Sequence, residues 1–373
     1  MVNKQRMLDE FFELVKIPAS TRKERQVADV LLAKLKALGL EVKEDDTGSK
    51  IGGDCGNLIA YKKGNVAGAP VVMLSAHMDC VEPCTGIEPV LKDGIITSAG
   101  DTILGGDDKA GVTGILEALR LLEEKQLPHG DVQIVFTVAE EGGLNGSKNI
   151  DQSLLKADFG YALDSSGAPG EVIVMAPGQE SILVTVHGKK AHAGVAPEEG
   201  VNAIVVAGKA LAELKQGRID FETTANVGLI SGGVATNIVP DQVELKCEAR
   251  SRNMDKLAAQ TAHMKETFET VCARSGGKAT VVVKRAYNPY VLEESAHVVT
   301  TAVKAVESLG MKAACVGTGG GSDANFFNSY GIPTAVLGVG MSKVHTTDEF
   351  IKEVDLYNTG ELSLAIILQA AKK

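Results

Sequence analysis

The chain contains no tryptophan, and aromatic residues make up only 4% of it. Surfaces that stack nucleobases depend on such rings. There is no basic cluster, and the formal net charge is −10 at pH 7. A phosphate backbone calls for the opposite balance, so nucleic acid is not expected as a partner. No apolar run approaches the roughly 18–20 residues of a membrane span. The opening ten residues, Met1 to Glu10, are mostly polar and lack a signal peptide's apolar stretch. No membrane partner is therefore expected. The six cysteines, Cys55, Cys80, Cys84, Cys247, Cys272 and Cys315, are scattered and form no Cys-x-x-Cys. Reduced thiols and a cytoplasmic location are the matching expectations.

What is present fits an ordinary α/β protein. The chain has 373 residues, 44% of them hydrophobic, and 41 glycines. That length suggests about two domains. Its most informative feature is the run Val71 to Asp79, an uncharged strand that ends in His77-Met-Asp79. Such a strand reads as a central strand of a parallel sheet, covered on both faces. Ligands collect at the carboxyl ends of such strands. The same pattern recurs. Val132 to Glu141 is an apolar run ending in Glu140 and Glu141, Phe159 to Asp164 ends in an aspartate, and Thr334 to Gly340 precedes His345. Gly105 to Gly111, with Asp107 and Asp108, opens a helical stretch from Val112 to Leu122.

Between these segments the periodicity changes. Ser181–His187 alternates with period two, the pattern of a strand with one covered face. A helix over 202–214, strands over 225–230 and 242–249, a helix over 254–273 and a strand over 279–284 follow. That β-α-β-β-α-β order is the ferredoxin-like unit. The expected organisation is therefore a catalytic domain from 1–178 and 289–373, interrupted by an inserted α+β lid domain at 179–288. The catalytic domain is expected to be a mostly parallel sheet with helices on both faces.

The residue types suit metal-assisted hydrolysis. Zinc accepts imidazole nitrogen and carboxylate oxygen. A two-metal site needs a bridging carboxylate, further ligands and a base that binds no metal. Adjacent Glu140 and Glu141 can divide ligation and proton transfer between them. Taken singly, each residue has a plainer explanation. Asp107 suits a helix N-terminus, the two glutamates a solvated strand end, Asp164 a turn start, and His345 an exposed loop. Cys80 and Cys84 lie nearby but lack the second cysteine pair of a thiolate zinc site.

Together, His77-Met-Asp79, Gly106-Asp-Asp-Lys109, Ala139-Glu-Glu-Gly142, Leu163-Asp164 and Val344-His345 resemble the motifs of the di-zinc exopeptidases. That family includes carboxypeptidase G, aminoacylases, succinyl-diaminopimelate desuccinylase and peptidase T. The likeness extends over essentially the whole chain. Within the family, Ser98 to Leu104 and Leu104 to Gly111 are most similar to the peptidase T branch of aminotripeptidases. The chain is somewhat shorter than peptidase T proper, so a related branch with another substrate stays open.

The resemblance implies two divalent metals, zinc first among them. Asp107 would bridge them, His77 and Asp164 would complete one, and Glu141 and His345 the other. Asp79 would orient His77. Glu140 would be the general base, acting on a zinc-bridged water. In the inserted segment, Gly188 to Gly194 offers His192 as an oxyanion stabiliser, acting within its own subunit or across a homodimer formed through the lid. Gly232 to Pro240 offers Asn237, and Arg250 would receive a substrate carboxylate. The implied substrate is a short peptide, with removal of the N-terminal residue of tripeptides.

Three other readings compete. Gly317 to Ser322 invites a dinucleotide loop but lacks the full Gly-x-Gly-x-x-Gly spacing and the later acid. A non-enzymatic binding module would be expected to lack a ligand or the base, and none is missing. A carboxypeptidase or N-acyl amino acid deacylase would share every metal residue.

Overall fold

Three strands are buried along their whole length: Val72–His77, Val132–Thr137 and Thr334–Gly338. Each is uncharged until its carboxyl end, as burial on two faces requires. In the computed structural model, which describes residues 1–372, these strands and Phe159–Ser165 form the parallel centre of a nine-stranded sheet. His77 lies directly opposite Thr137 in this ladder. The flanks are antiparallel: Leu58–Lys62 pairs with Val132–Thr137, and Glu171–Ala176 pairs with Thr334–Gly338. A mostly parallel sheet thus describes the middle, while the flanks make the whole sheet mixed.

Side chains alternate between two covered faces. Leu74, Ile134 and Phe136 pack with Ile115 and Leu119 of the helix Gly106–Glu124 and with Leu362 and Ile366 of the helix Glu353–Ala370. Met73, Val135 and Ile59 face the other way, onto Phe327 and Ile332. The run expected to continue to Glu141 leaves the sheet at Thr137, and Ala139 adopts a left-handed backbone with φ +48°. A small antiparallel sheet of Pro89–Lys92, Ile95–Ser98, Met341–Ser342 and Phe350–Lys352 was not evident from the sequence.

The chain divides into two units. One comprises Met1–Met175, Val291–Gly317 and Ser322–Lys373, and the other Ala176–Tyr290 with Thr318–Gly321. The second unit has a five-stranded antiparallel sheet in the order Gly217–Arg218, Thr223–Gly232, Gln242–Ser251, Gly178–His187, Lys278–Tyr287. Burial alternates along Gly178–His187. Ile182, Val184, Val186 and Leu245 form its core with Ala207 and Phe268 of the helices Ala203–Glu213 and Met254–Arg274. Asn202 and Asn253 cap these helices, each accepting from two backbone N–H groups.

Thr318–Gly321 lies outside the expected 179–288 span yet groups with this unit. A Cβ on Gly321 would stand 2.4 Å from the Tyr287 ring, so only glycine permits that approach. The Gly-rich segment is therefore a packing device against Tyr287. Among the described residues, no helix is long and apolar enough to cross a membrane.

Candidate active site

The parallel strands deliver their polar ends to one edge of the first unit. His77 ends its strand, Asp164 lies within Phe159–Ser165, Glu140 and Glu141 follow Thr137, and His345 follows Met341–Ser342. Asp107 enters from the start of the helix Gly106–Glu124, where Asp107 and Asp108 depart from helical geometry.

Asp107 is the centre of the arrangement. Its Oδ1 lies 2.9 Å from His77 Nε2, and its Oδ2 lies 3.4 Å from His345 Nε2. Asp164 Oδ1 is 3.7 Å from His77 Nε2, and Glu141 Oε1 is 2.8 Å from His345 Nε2. Two donor groups result, His77–Asp107–Asp164 and Asp107–Glu141–His345. In each, one ligand atom per residue lies within 4.8 Å of the others. His77, Glu140 and Glu141 form a further such group. His77, Asp107 and Glu140 are buried, while the His345 side chain is 51% exposed and opens the site to solvent.

The electrostatics follow from this crowding. Burial opposes ionisation of Asp107 most strongly, but contacts with His345 and His77 outweigh it and hold the carboxyl below its usual range. Burial pushes Asp164 and Glu140 up; His77 opposes this, and neighbouring acids reinforce it. His345 is pushed up to about 10 by its contacts with Asp107 and Glu141. The two histidines thus draw positive charge toward a cluster of acids, the demand that a bound cation meets.

The donor set also fits divalent cations chemically. It offers carboxylate oxygens and imidazole nitrogens without thiols. Glu141 Oε1 is buried without a partner of hydrogen-bonding geometry, although His345 Nε2 is close. Cys80 instead contacts Lys109 Nζ at 3.2 Å, and burial pushes its thiol up to about 11. All six cysteines are unpaired, and neither Cys80 nor Cys84 joins a donor group among the described residues.

Buried acceptors hold the segment that carries the two glutamates. The N–H of Val138 donates to Asn57 Oδ1 and that of Ala139 to Glu24 Oε1, both at 3.0 Å. The N–H groups of Glu140 and Glu141 both donate to the Asp79 carboxylate, at 3.0 and 3.2 Å. Thr21 Oγ1 donates to the same group at 2.7 Å. Asp79 therefore positions the glutamate pair as well as standing beside His77. The nearest oxygen to His77 Nδ1 is the Asp79 carbonyl at 3.0 Å, with Asp79 Oδ1 at 3.5 Å.

Asp108 faces away from the donor groups. It accepts from the N–H of His77 at 3.3 Å and of Gly111 at 3.1 Å. Lys109 is fully buried and donates to the Met78 carbonyl at 2.5 Å. Asp323, also buried, accepts from Thr137 and Ser147. Sequence reasoning gave no role to Glu24, Asn57, Thr21, Asp108, Lys109, Asp323 or Glu349. For Glu349 a signal existed, since it stands four residues after His345.

The three residues singled out in the inserted segment belong to the second unit. His192 bridges to Ile238, and the N–H of Ala193 donates to the Asn237 carbonyl at 3.0 Å, so His192 and Asn237 share one exposed loop cluster. Arg250 lies on Gln242–Ser251 and donates to both oxygens of Glu248, at 2.9 and 3.1 Å.

Known proteins resemble this chain over most or all of its length. The model of peptidase family M20/M25/M40 matches residues 73–369. The crystal structure of the aminopeptidase PepT of Bacillus cereus ATCC 10987 is 46% identical, with a TM-score of 0.90 and 100% of both chains covered. That of a tripeptidase of Staphylococcus aureus is 42% identical, with a TM-score of 0.95 and the same coverage. Peptidase T of Clostridium novyi (strain NT) is 30% identical over 288 residues, covering 75% of this chain and 70% of that protein. With the family match spanning the strands and helix that supply every donor described above, the chain belongs to peptidase family M20/M25/M40.

Proposed function

We propose that this chain is a metal-dependent exopeptidase that releases the N-terminal residue of tripeptides. One observation carries the reading: each oxygen of Asp107 faces a different histidine, and each histidine has its own further carboxylate. Asp107 would bridge two divalent ions, zinc being the expected metal. His77 and Asp164 would hold one, Glu141 and His345 the other. Bound there, such ions supply Lewis acidity toward a peptide carbonyl and acidify water. Glu140 stands outside the two groups that share Asp107. Its buried carboxylate would take a proton from the attacking water and pass it to the leaving amine. Asp79 would keep Glu140 in place through its backbone N–H.

The names of the Bacillus and Staphylococcus relatives support a short peptide as substrate. In the second unit, His192 would stabilise the oxyanion, Asn237 would hydrogen-bond substrate, and Arg250 would receive the C-terminal carboxylate. The exposed Leu229, Ile230, Val234, Ile204 and Val205 of this unit would form a homodimer contact. A cytoplasmic setting suits the six unpaired thiols.

Active protein should contain about two divalent ions and lose activity on chelation. Glu140→Gln should keep both ions yet lower kcat by about 10²–10⁴; elemental analysis with steady-state kinetics checks this, and near-wild-type turnover at full occupancy would remove Glu140 from its role. Tripeptides should be cleaved in preference to dipeptides and N-acyl amino acids, and Arg250→Ala should harm free acids far more than C-terminal amides. A preference for N-acyl amino acids would favour the deacylase reading. Leu229→Asp with Ile230→Asp should shift the sedimentation coefficient from dimer to monomer, and an unchanged dimer would place the contact elsewhere.

A further inference from the structure

Glu349 is 2% exposed and lies in the loop that carries His345. Its N–H donates to the Thr346 carbonyl at 3.1 Å, which folds the loop back on itself. Its side chain reaches a segment more than 240 positions away in sequence. Oε2 accepts from the N–H groups of Leu104 and Gly105, both at 2.8 Å, and Oε1 from that of Asp107 at 3.0 Å. Gly106 completes the cradle, since a Cβ there would stand 3.1 Å from Oε1. Charge-assisted bonds of this kind are roughly twice as strong as neutral ones. A buried carboxylate with three backbone donors therefore fixes where the chain enters the helix Gly106–Glu124.

We propose that Glu349 is a positioning residue for the shared metal carboxylate: it locks the Asp107 backbone to the His345 loop, and so sets the separation of two ligands drawn from opposite ends of the chain. The inference rests on the reading of Asp107 and His345 as metal ligands. His77 and Asp164 hang on neighbouring strands of the sheet and do not need this tie. Loss of Glu349 should therefore fall mainly on the ion held by Glu141 and His345.

Glu349→Gln tests this. Glutamine keeps the size but presents an N–H₂ toward a backbone N–H. Zinc titration of the folded variant should show one ion bound about 10–100-fold more weakly, the usual effect of losing a partner behind a ligand, and the other nearly unchanged. Turnover should fall at limiting zinc and recover in excess zinc. A general structural role would lower the thermal midpoint without separating the two affinities. Two unchanged affinities, or equal weakening of both, would overturn the proposal. If Glu349→Gln does not fold, Gly106→Ala decides, since its methyl presses on Oε1 and should weaken the same ion to a smaller degree. Wild-type protein that binds no zinc would instead remove the functional reading on which the proposal stands, a result distinct from two intact affinities in the variant.

Discussion

An excess of buried carboxylates at the carboxyl edge of one sheet is the constraint on which the rest of the first unit depends. Glu24, Asp79, Asp107, Asp108, Glu140, Asp323 and Glu349 are all less than a tenth exposed. An uncompensated buried charge is costly, and removing its partner can cost several kcal/mol. Among these acids and the half-buried Glu141 and Asp164, two sets stand out, with Glu140 and Asp323 in neither. Glu24 accepts from the N–H of Ala139, Asp79 from those of Glu140 and Glu141, Asp108 from those of His77 and Gly111, and Glu349 from those of Leu104, Gly105 and Asp107. Asp107, Glu141 and Asp164 are instead left facing one another across two histidines. The first set fixes the position of the second, and the second creates the demand for cations.

That division explains features that look unrelated. Strand Val132–Thr137 stops early because the next four N–H groups bond to Asn57, Glu24 and Asp79 rather than to a neighbouring strand. Ala139 and His345 take left-handed backbones, at φ +48° and +64°. Such conformations cost about 1–3 kcal/mol each and persist where surrounding contacts determine them. At Ala139 the bond to Glu24 is one such contact, and it turns Glu140 away from the strand direction.

Much of this was legible in the sequence because each donor sits where an apolar run gives out. His77, Glu140, Glu141, Asp164 and His345 could be placed at one edge from strand ends alone, and the ferredoxin-like order was readable from the change to period-two alternation. The antiparallel direction of Leu58–Lys62 was not, since a buried run has the same composition in either direction. Glu24 was also hidden, and Glu349 offered only its place four residues after His345. In sequence, an acid that accepts buried N–H groups is indistinguishable from one on the surface, and its partners lie about 115 and 245 positions away. Asp107 and Asp108 are adjacent and chemically identical; the family resemblance singled out Asp107, and the backbone geometry at the helix start gives the physical reason, with Asp107 facing the histidines and Asp108 accepting from the Gly111 N–H. Gly321 showed a related limit, because its need for glycine arises from the Tyr287 ring and not from a ligand.

The central claim is that Asp107 lies between two cations, each completed by one histidine and one further carboxylate. Anomalous diffraction at the zinc edge, from crystals grown with zinc, tests it most directly. The account predicts two peaks on either side of Asp107, about 3.5–4 Å apart, one beside His77 and Asp164 and the other beside Glu141 and His345. A single peak, or peaks that do not contact Asp107, would contradict it.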